Sequence, residues 1–345
     1  MIIDESSALE PREERRMRHV VVGAGAVGTG VARVLAAEGH QVRVVSRSGG
    51  GPPWVDGDPP GLERVRADAS DGAAMARLTV GAAAIYNCAN PAYHRWARDW
   101  PPIAAALLRA ASVNDAVLVT MSNLYGYGEV AGPMTEGTPF APVGVKGRIR
   151  AAMWEDALEA HRAGRVRVTE ARASDWFGPG VTDSSLFGRR VVAPLLAGKT
   201  IRLVQCRPDV PHSFTYAPDA ARTLAVLGTD ERAWGRPWHV PTNEAITARR
   251  MIEQMARAAG VDTPPLTVLS PGLLRALGTL WPTVRELQET RYQFERPFVI
   301  DSSAFSATFG WAATPLEEAL RSTVGWWRAG AGRSAVPAAA GAVGS

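Results

Sequence analysis

The sequence predicts an α/β fold, a doubly wound parallel sheet with a smaller C-terminal substrate-binding region. Three observations carry this expectation. Short apolar strands alternate with helical periodicity from residue 18 to 175. A glycine-rich turn joins the first strand to the first helix. Beyond residue 176 the elements shorten and become rich in Pro, Gly and Trp.

The elements follow in order. "HVVVG" reads as an apolar strand, and "AVGTGVARVLAAEG" as a helix with Val27, Val31, Val34 and Leu35 on one face and Gly39 as its stop. "QVRVVSR" and "GLERVRADAS" give the second and third strands. "DGAAMARLTV" is a helix, and "AAAIYNCAN" a fourth strand ending in a polar loop. "PPIAAALLRAASVN" reads as a helix with proline at its start, where a missing N–H costs little. "AVLVTMSNLYG" is the fifth strand, "RAAMWEDALEAHRAG" a helix and "VRVTEARAS" the sixth strand. Residues 1–17 read as a flexible arm, 18–175 as the dinucleotide-binding domain, and 176–328 as mainly the substrate-binding region. Residues 212–228 are expected to return to the first domain, and 329–345 to form a disordered tail.

Bulk properties narrow the function classes. The 345 residues suit one large α/β unit or two intimate ones. Net charge is +4 and the arginines are dispersed, so a nucleic-acid partner is not expected. Cys88 and Cys206 are the two cysteines, far apart and without metal-ligand spacing. That pattern argues for no metal and no disulfide, and for a reducing, cytoplasmic setting. No apolar run approaches the ~20 residues of a membrane span, and no secretory pattern opens the chain.

Gly23, Gly25 and Gly28 form G-x-G-x-x-G after a strand and at the opening of a helix, with Ala26 and Val27 inside the turn. The first glycine permits the turn, the second lets backbone approach a pyrophosphate, and the third lets helix and strand pack closely. The helix N-terminus offers unpaired N–H groups to phosphate. The second strand ends in Ser46, Arg47 and Ser48 without a carboxylate. A cation with two hydroxyls suits a 2′-phosphate, so NADP is expected and NAD is the second choice. Asp68 is placed either to meet the adenine edge or to cap a helix.

Several segments, taken in order, resemble one family. They are "GAGAVGTG", "NCANP", "SNLYGYG", "RASDWFGPG", "HSFTYAPDAARTL" and "FGWAATPLEEALRSTVGWW". Over residues 18–328 the chain resembles an extended short-chain dehydrogenase/reductase of the NAD-dependent epimerase/dehydratase type, and in particular the atypical members that have lost part of the catalytic tetrad. That group more often spaces its glycines G-x-x-G-x-x-G. The resemblance implies a Rossmann domain and hydride transfer at a nicotinamide. It also places Ala89 and Asn90 beside the cofactor, in the loop after the fourth strand.

The same resemblance implies a tyrosine that moves the carbonyl proton, a lysine four residues later that lowers its pKa, and a Ser or Thr that orients the substrate oxygen. Lys146 matches the lysine, and it is one of only two lysines against 36 arginines. Pro142 stands at the tyrosine position and has no ionisable group. The hydroxyl position falls on Met121 with Thr120 and Ser122 beside it, and Ser122 is the choice. Tyr125 leads as a displaced acid, with Tyr127, Tyr93 and His94 as alternatives. Asn123, Tyr93, His94, Trp176, Phe177, His212 and Tyr216 are expected to line the substrate pocket.

The leading reading is an NADP-dependent oxidoreductase acting on a small carbonyl, alcohol or sugar-like molecule. Two alternatives stay open: a non-catalytic dinucleotide sensor, or a non-redox isomerase, lyase or cyclase using the same pocket. The resemblance also implies a homodimer through the helix around 103–112 and the one beginning at Arg148.

Overall fold

The computed structural model describes residues 16–51, 57–183, 185–204, 206–268 and 289–330. The expected arm and tail fall almost wholly outside these residues. The centre is a parallel sheet formed by β1 (Arg18–Val22), β2 (Gln41–Ser46), β3 (Leu62–Arg66), β4 (Ala82–Asn87), β5 (Val117–Asn123), β6 (Arg167–Ala173) and β11 (Pro237–His239). The spatial order is β11-β6-β5-β4-β1-β2-β3. Every pairing in it is parallel. The chain therefore winds outward from β1 in both directions. The crevice at the carboxyl ends of β1 and β4 is where such sheets receive ligands.

Helices cover both faces, which is why the central strands read as apolar runs and not as alternations. On one face, α1 (Ala26–Ala37) and α6 (Ala217–Thr229) pack together. Val31, Ala32 and Leu35 meet Ala220, Ala221 and Leu224 in one core. A Cβ on Gly30 would come within 2.8 Å of the Ala221 methyl, so a glycine sets that helix spacing. Helix α6 thus packs directly on α1. On the other face lie α2 (Gly72–Leu78), α3 (Trp96–Val113) and α4 (Val145–Arg162). Met75, Trp96, Trp100, Leu107 and Trp154 share that core.

Three expectations differ from the observed elements. The sheet has a seventh strand, β11, which comes from the C-terminal region and is too short to show a periodicity of its own. Helix α3 starts at Trp96, so Pro101 and Pro102 lie inside it and not at its start. Each removes a bond to the carbonyl four residues earlier, on Ala97 and Arg98, both exposed to water. Helix α4 starts at Val145, earlier than the "RAAMWED" run suggested, and this places Lys146 in its first turn.

The C-terminal region has its own core. Here α5 (Arg189–Leu196), α7 (Ala248–Ala259) and β8 (Ile201–Leu203) pack together with α8, the helix Leu316–Arg328. Phe187, Val191, Leu195, Met251, Met255 and Leu320 are buried among one another. Helix α7 is fixed at both ends. Thr247 accepts a bond from the Arg250 N–H, and Gly260 in the left-handed region stops it. Two short strands, β7 (Asp175–Phe177) and β10 (Phe214–Tyr216), pair in parallel and join this region to the sheet's carboxyl edge.

Candidate active site

The glycine turn is held from beneath. Gly23 has φ +110°, and a Cβ there would lie 2.4 Å from the Cys88 carbonyl oxygen. A Cβ on Gly28 would lie 1.9 Å from the Gly23 carbonyl oxygen. Around Gly25, by contrast, a Cβ would meet nothing within 4 Å. Gly25 is the N-cap of α1 and has no side chain to cap it. The first amides of α1, on Ala26, Val27 and Gly28, therefore lack a partner within the helix and face this open space from its end. A pyrophosphate fits there on both steric and electrostatic grounds. Ala89 and Asn90 follow β4 at the rim, and the Ala89 N–H reaches Asn87 Oδ1 at 3.4 Å.

At the end of β2, Ser46 Oγ donates to the Gly50 carbonyl at 2.7 Å and Ser48 Oγ accepts from the Gly50 N–H at 3.2 Å. The two hydroxyls shape the loop, and Arg47 is left exposed at its tip. Asp68 is not a helix cap, since Asp71 caps α2 by accepting from Ala74. Asp68 accepts from the Ser70 backbone and hydroxyl, which hold its carboxyl below the usual range. The charge of Arg47 adds to that lowering, so Arg47 and Asp68 lie near each other across the carboxyl ends of β2 and β3.

Ser122 and Asn123 end β5. Ser122 is buried, and Asn123 Oδ1 accepts from the Tyr125 N–H at 3.1 Å, which fixes the turn. Tyr125 Oη lies 2.8 Å from Tyr93 Oη. Burial pushes the Tyr125 hydroxyl well above its usual range, and burial raises Tyr93 as well. Tyr127 belongs to a different network. It is bonded to Arg172 Nη1 at 2.7 Å and His239 Nε2 at 2.8 Å in the interior. His94 lies exposed on the short helical turn Tyr93–Arg95 and does not join the tyrosines.

Lys146 is buried, and its Nζ lies 5.5 Å from the Tyr93 ring centre. The carboxylate of Glu289 receives its Nζ at 3.0 Å and its backbone N–H at 2.5 Å. That carboxylate also caps the N-terminus of α4, where the helix dipole favours negative charge. One turn on, Arg150 lies between Trp96 and Trp100, 4.8 and 4.2 Å from the ring centres. Burial lowers its pKa to about 10, which leaves it charged at neutral pH. Pro142 packs below this turn. A Cβ on Gly147 would lie 2.9 Å from Pro142 Cβ and 2.5 Å from the Tyr125 carbonyl oxygen.

The far wall comes from β7 and from β9 (Pro211–His212). Asp175 Oδ2 lies 2.8 Å from His212 Nε2, and His212 Nδ1 lies 3.1 Å from the Gln293 carbonyl oxygen. Trp176 is half-buried. Phe177 is fully buried against Tyr216, with ring centres 5.4 Å apart, and both belong to the C-terminal core and not to an open wall. Asp175, Glu289 and Gln293 were not singled out from the sequence. Only the glycine loop and Lys146 had a spacing signature, while Glu289 meets Lys146 across 143 positions. A cavity of about 620 Å³ lies elsewhere, lined by α3, α4, β5 and β6.

The family model for the NAD dependent epimerase/dehydratase family matches residues 19–240. A dTDP-6-deoxy-L-talose 4-dehydrogenase (NAD(P)(+)) of Kitasatospora kifunensis is 28% identical over 167 residues, 47% of this chain and 52% of that protein. The match thus spans about half of that relative's length. The UDP-glucose 4-epimerase of Thermotoga maritima, solved with UDP-glucose, superposes with a TM-score of 0.74 at 19% identity, covering 91% of this chain and 99% of that one. A dTDP-glucose 4,6-dehydratase from Streptomyces venezuelae, solved with NAD, superposes with a TM-score of 0.71 at 22% identity, covering 90% and 97%. These structures share the fold, and the family match extends from the phosphate turn through the Asp175–His212 wall to β11. The chain belongs to the NAD dependent epimerase/dehydratase family.

Proposed function

We propose that this protein is an NADP-dependent oxidoreductase that transfers hydride to or from a sugar-nucleotide-like carbonyl or alcohol. The observation that carries the reading is the contrast among the three glycines. Gly23 and Gly28 have no room for a side chain, while Gly25 faces open space at the end of α1. When bound, the nicotinamide supplies a hydride acceptor or donor. Gly25, Ala26, Val27 and Gly28 hold its diphosphate, and Ala89 and Asn90 border it. Ser46, Arg47 and Ser48 receive a 2′-phosphate, with Asp68 beside the adenosine. The absence of a carboxylate at the end of β2 supports NADP over NAD.

Lys146 holds the nicotinamide ribose, and Ser122 orients the substrate oxygen. Tyr125, bonded to Tyr93, is the hydroxyl proposed from the sequence for proton transfer. Asn123, Trp176 and His212 shape the substrate space. We place the protein in the cytoplasm as a homodimer formed through α3 and α4, whose outer groove holds the 620 Å³ cavity. Among the described residues no helix is long and apolar enough to cross a membrane.

The test is oxidation of dTDP-6-deoxy-L-talose, and of a panel of dTDP- and UDP-hexoses, followed by the absorbance of reduced nicotinamide with NADP and with NAD. Turnover that prefers NADP is the expected result. Silence across the panel, with NADP binding shown by calorimetry, overturns the oxidoreductase reading. One observation favours a second reading, a dinucleotide-binding sensor. Pro142 removes the tyrosine, and Glu289 already engages the ammonium of Lys146.

A further inference from the structure

Pro142 leaves the family's proton position empty, and both tyrosines nearby are held protonated by burial. A group useful for general acid–base work has an ionisation close to the working pH and reaches the reacting oxygen. One pair of side chains here, Asp175 and His212, joins a carboxylate to an imidazole and has no proton-transfer role in the reading above. Asp175 opens β7 where the sheet's carboxyl edge meets the C-terminal region. Its Oδ2 lies 2.8 Å from Nε2 of His212. The other ring nitrogen lies 3.1 Å from the Gln293 carbonyl oxygen, which only accepts, so Nδ1 carries a proton. Nε2 is then the nitrogen that faces the carboxylate.

The ring cannot rotate away from this arrangement. It stacks on Phe214 at 4.6 Å and on Phe294 at 4.8 Å, the latter with an interplanar angle of 1°. His212 is 4% exposed by side chain and Asp175 is 20% exposed, so the carboxylate is the member that faces outward. The charge of Asp175 acts on Tyr93, Tyr125 and Tyr292, raising each in addition to burial, and also on Cys206. Gln293 links the pair to the tyrosines, since its side chain bonds Tyr125 and its carbonyl accepts from His212. Among the described residues His212 is its one ion-pair partner.

We propose that Asp175 is the acid–base group of this site, with His212 as its positioning partner, taking over the proton transfer that Pro142 cannot perform. The proposal rests on the oxidoreductase reading above. In the oxidative direction the substrate hydroxyl gives its proton to Asp175. The adjacent C–H bond breaks and its electron pair leaves with the hydrogen as hydride to an oxidised nicotinamide, forming the C=O bond. In the reductive direction hydride goes to the carbonyl carbon and the Asp175 carboxyl returns the proton to oxygen. His212 offsets the charge on the carboxylate in each direction through its bond to Oδ2.

The test uses the full chain as wild type, Asp175→Asn and His212→Gln, each checked for an unchanged melting temperature and NADP affinity. Nitrogen-15 spectra of the His212 ring are recorded against pH. Removing the carboxylate in Asp175→Asn is expected to move the ring's titration to lower pH than in wild type. With dTDP-6-deoxy-L-talose as probe, Asp175→Asn is expected to lower kcat by roughly a hundredfold or more and to erase one limb of its pH profile. His212→Gln is expected to displace that limb and leave KM for NADP unchanged. A His212 ring that titrates identically with and without Asp175 overturns the proposal, and so does wild-type kcat in Asp175→Asn. Absence of turnover in wild type sinks the oxidoreductase reading instead, while the ring titration still decides whether the two groups are coupled.

Discussion

Lys146 and Glu289 meet at 3.0 Å inside the site although 143 positions separate them in the chain. One carboxylate thereby satisfies both the lysine ammonium and the first turn of α4. A ribose hydroxyl that approaches Lys146 competes with Glu289 for the same donor. Glu289→Gln keeps the amide-sized cap but removes the charge. We expect it to tighten NADP binding by about tenfold, or ~1.4 kcal/mol. We also expect it to lower stability by ~1 kcal/mol through the weakened cap. Calorimetry with NADP and urea unfolding read the two effects separately. Unchanged affinity in this variant refutes the competition.

Two glycines five positions apart in the phosphate turn have opposite tolerance from the one between them. Gly28→Ala drives a methyl to 1.9 Å from the Gly23 carbonyl oxygen, and we expect a loss of about 3 kcal/mol or more. Gly25 has φ −78°, which any residue adopts, and its Cβ finds no neighbour. Gly25→Val is therefore expected to fold with a near wild-type melting temperature yet lose cofactor binding at least roughly tenfold, by filling the space the diphosphate needs. Equal destabilisation by both substitutions contradicts this assignment.

Arg47 stands exposed at the end of β2 beside a loop already shaped by Ser46 and Ser48. Its loss disturbs no packing. Arg47→Ala is expected to weaken NADP by about tenfold to a hundredfold, the scale of a charged hydrogen bond, while NAD affinity changes little. Parallel loss of both cofactors points to a fault in the loop and not to lost 2′-phosphate recognition.

Stability is expected to fall on mild acidification. His19 is fully buried in β1, its Nδ1 3.2 Å from the Tyr86 hydroxyl. Burial, helped by the nearby His40, lowers its pKa from 6.5 to about 4. Burial lowers His239 as well. The unfolded chain takes up these protons below about pH 6.5 and the folded chain does not. The stabilisation is therefore complete above pH 6.5 and is lost between 6.5 and about 4, amounting to about 3 kcal/mol for His19. Urea unfolding at a series of pH values measures the slope, and His19→Gln is expected to flatten it.

Features written in local spacing were legible in the sequence. The glycine turn, the alternation that gave six of the seven sheet strands, and the Gly39 stop all depend on residues within a few positions of one another. Helix α3 was misplaced because its first turn, "WARDW", lies before two prolines that normally mark a start. Those prolines are tolerated because Ala97 and Arg98, whose carbonyls they leave unpaired, are exposed residues. β11 has three residues and no period to detect. In the site, Lys146 was visible by its rarity. The Tyr93–Tyr125 bond, the Glu289 cap and the Asp175–His212 pair join distant segments through the fold, and no local pattern encodes them. His94 and Phe177 show the converse, since each sits next to a site residue in sequence and points elsewhere in space.

A chain of 345 residues with two lysines is also an unusually simple target for amine chemistry. Lys199 is exposed, whereas Lys146 lies behind Glu289 at 2% exposure. An acylating reagent should mark Lys199 at once and Lys146 only during excursions in which the carboxylate moves off. The ratio of the two labels then gauges, without any substrate, how often the buried start of α4 opens.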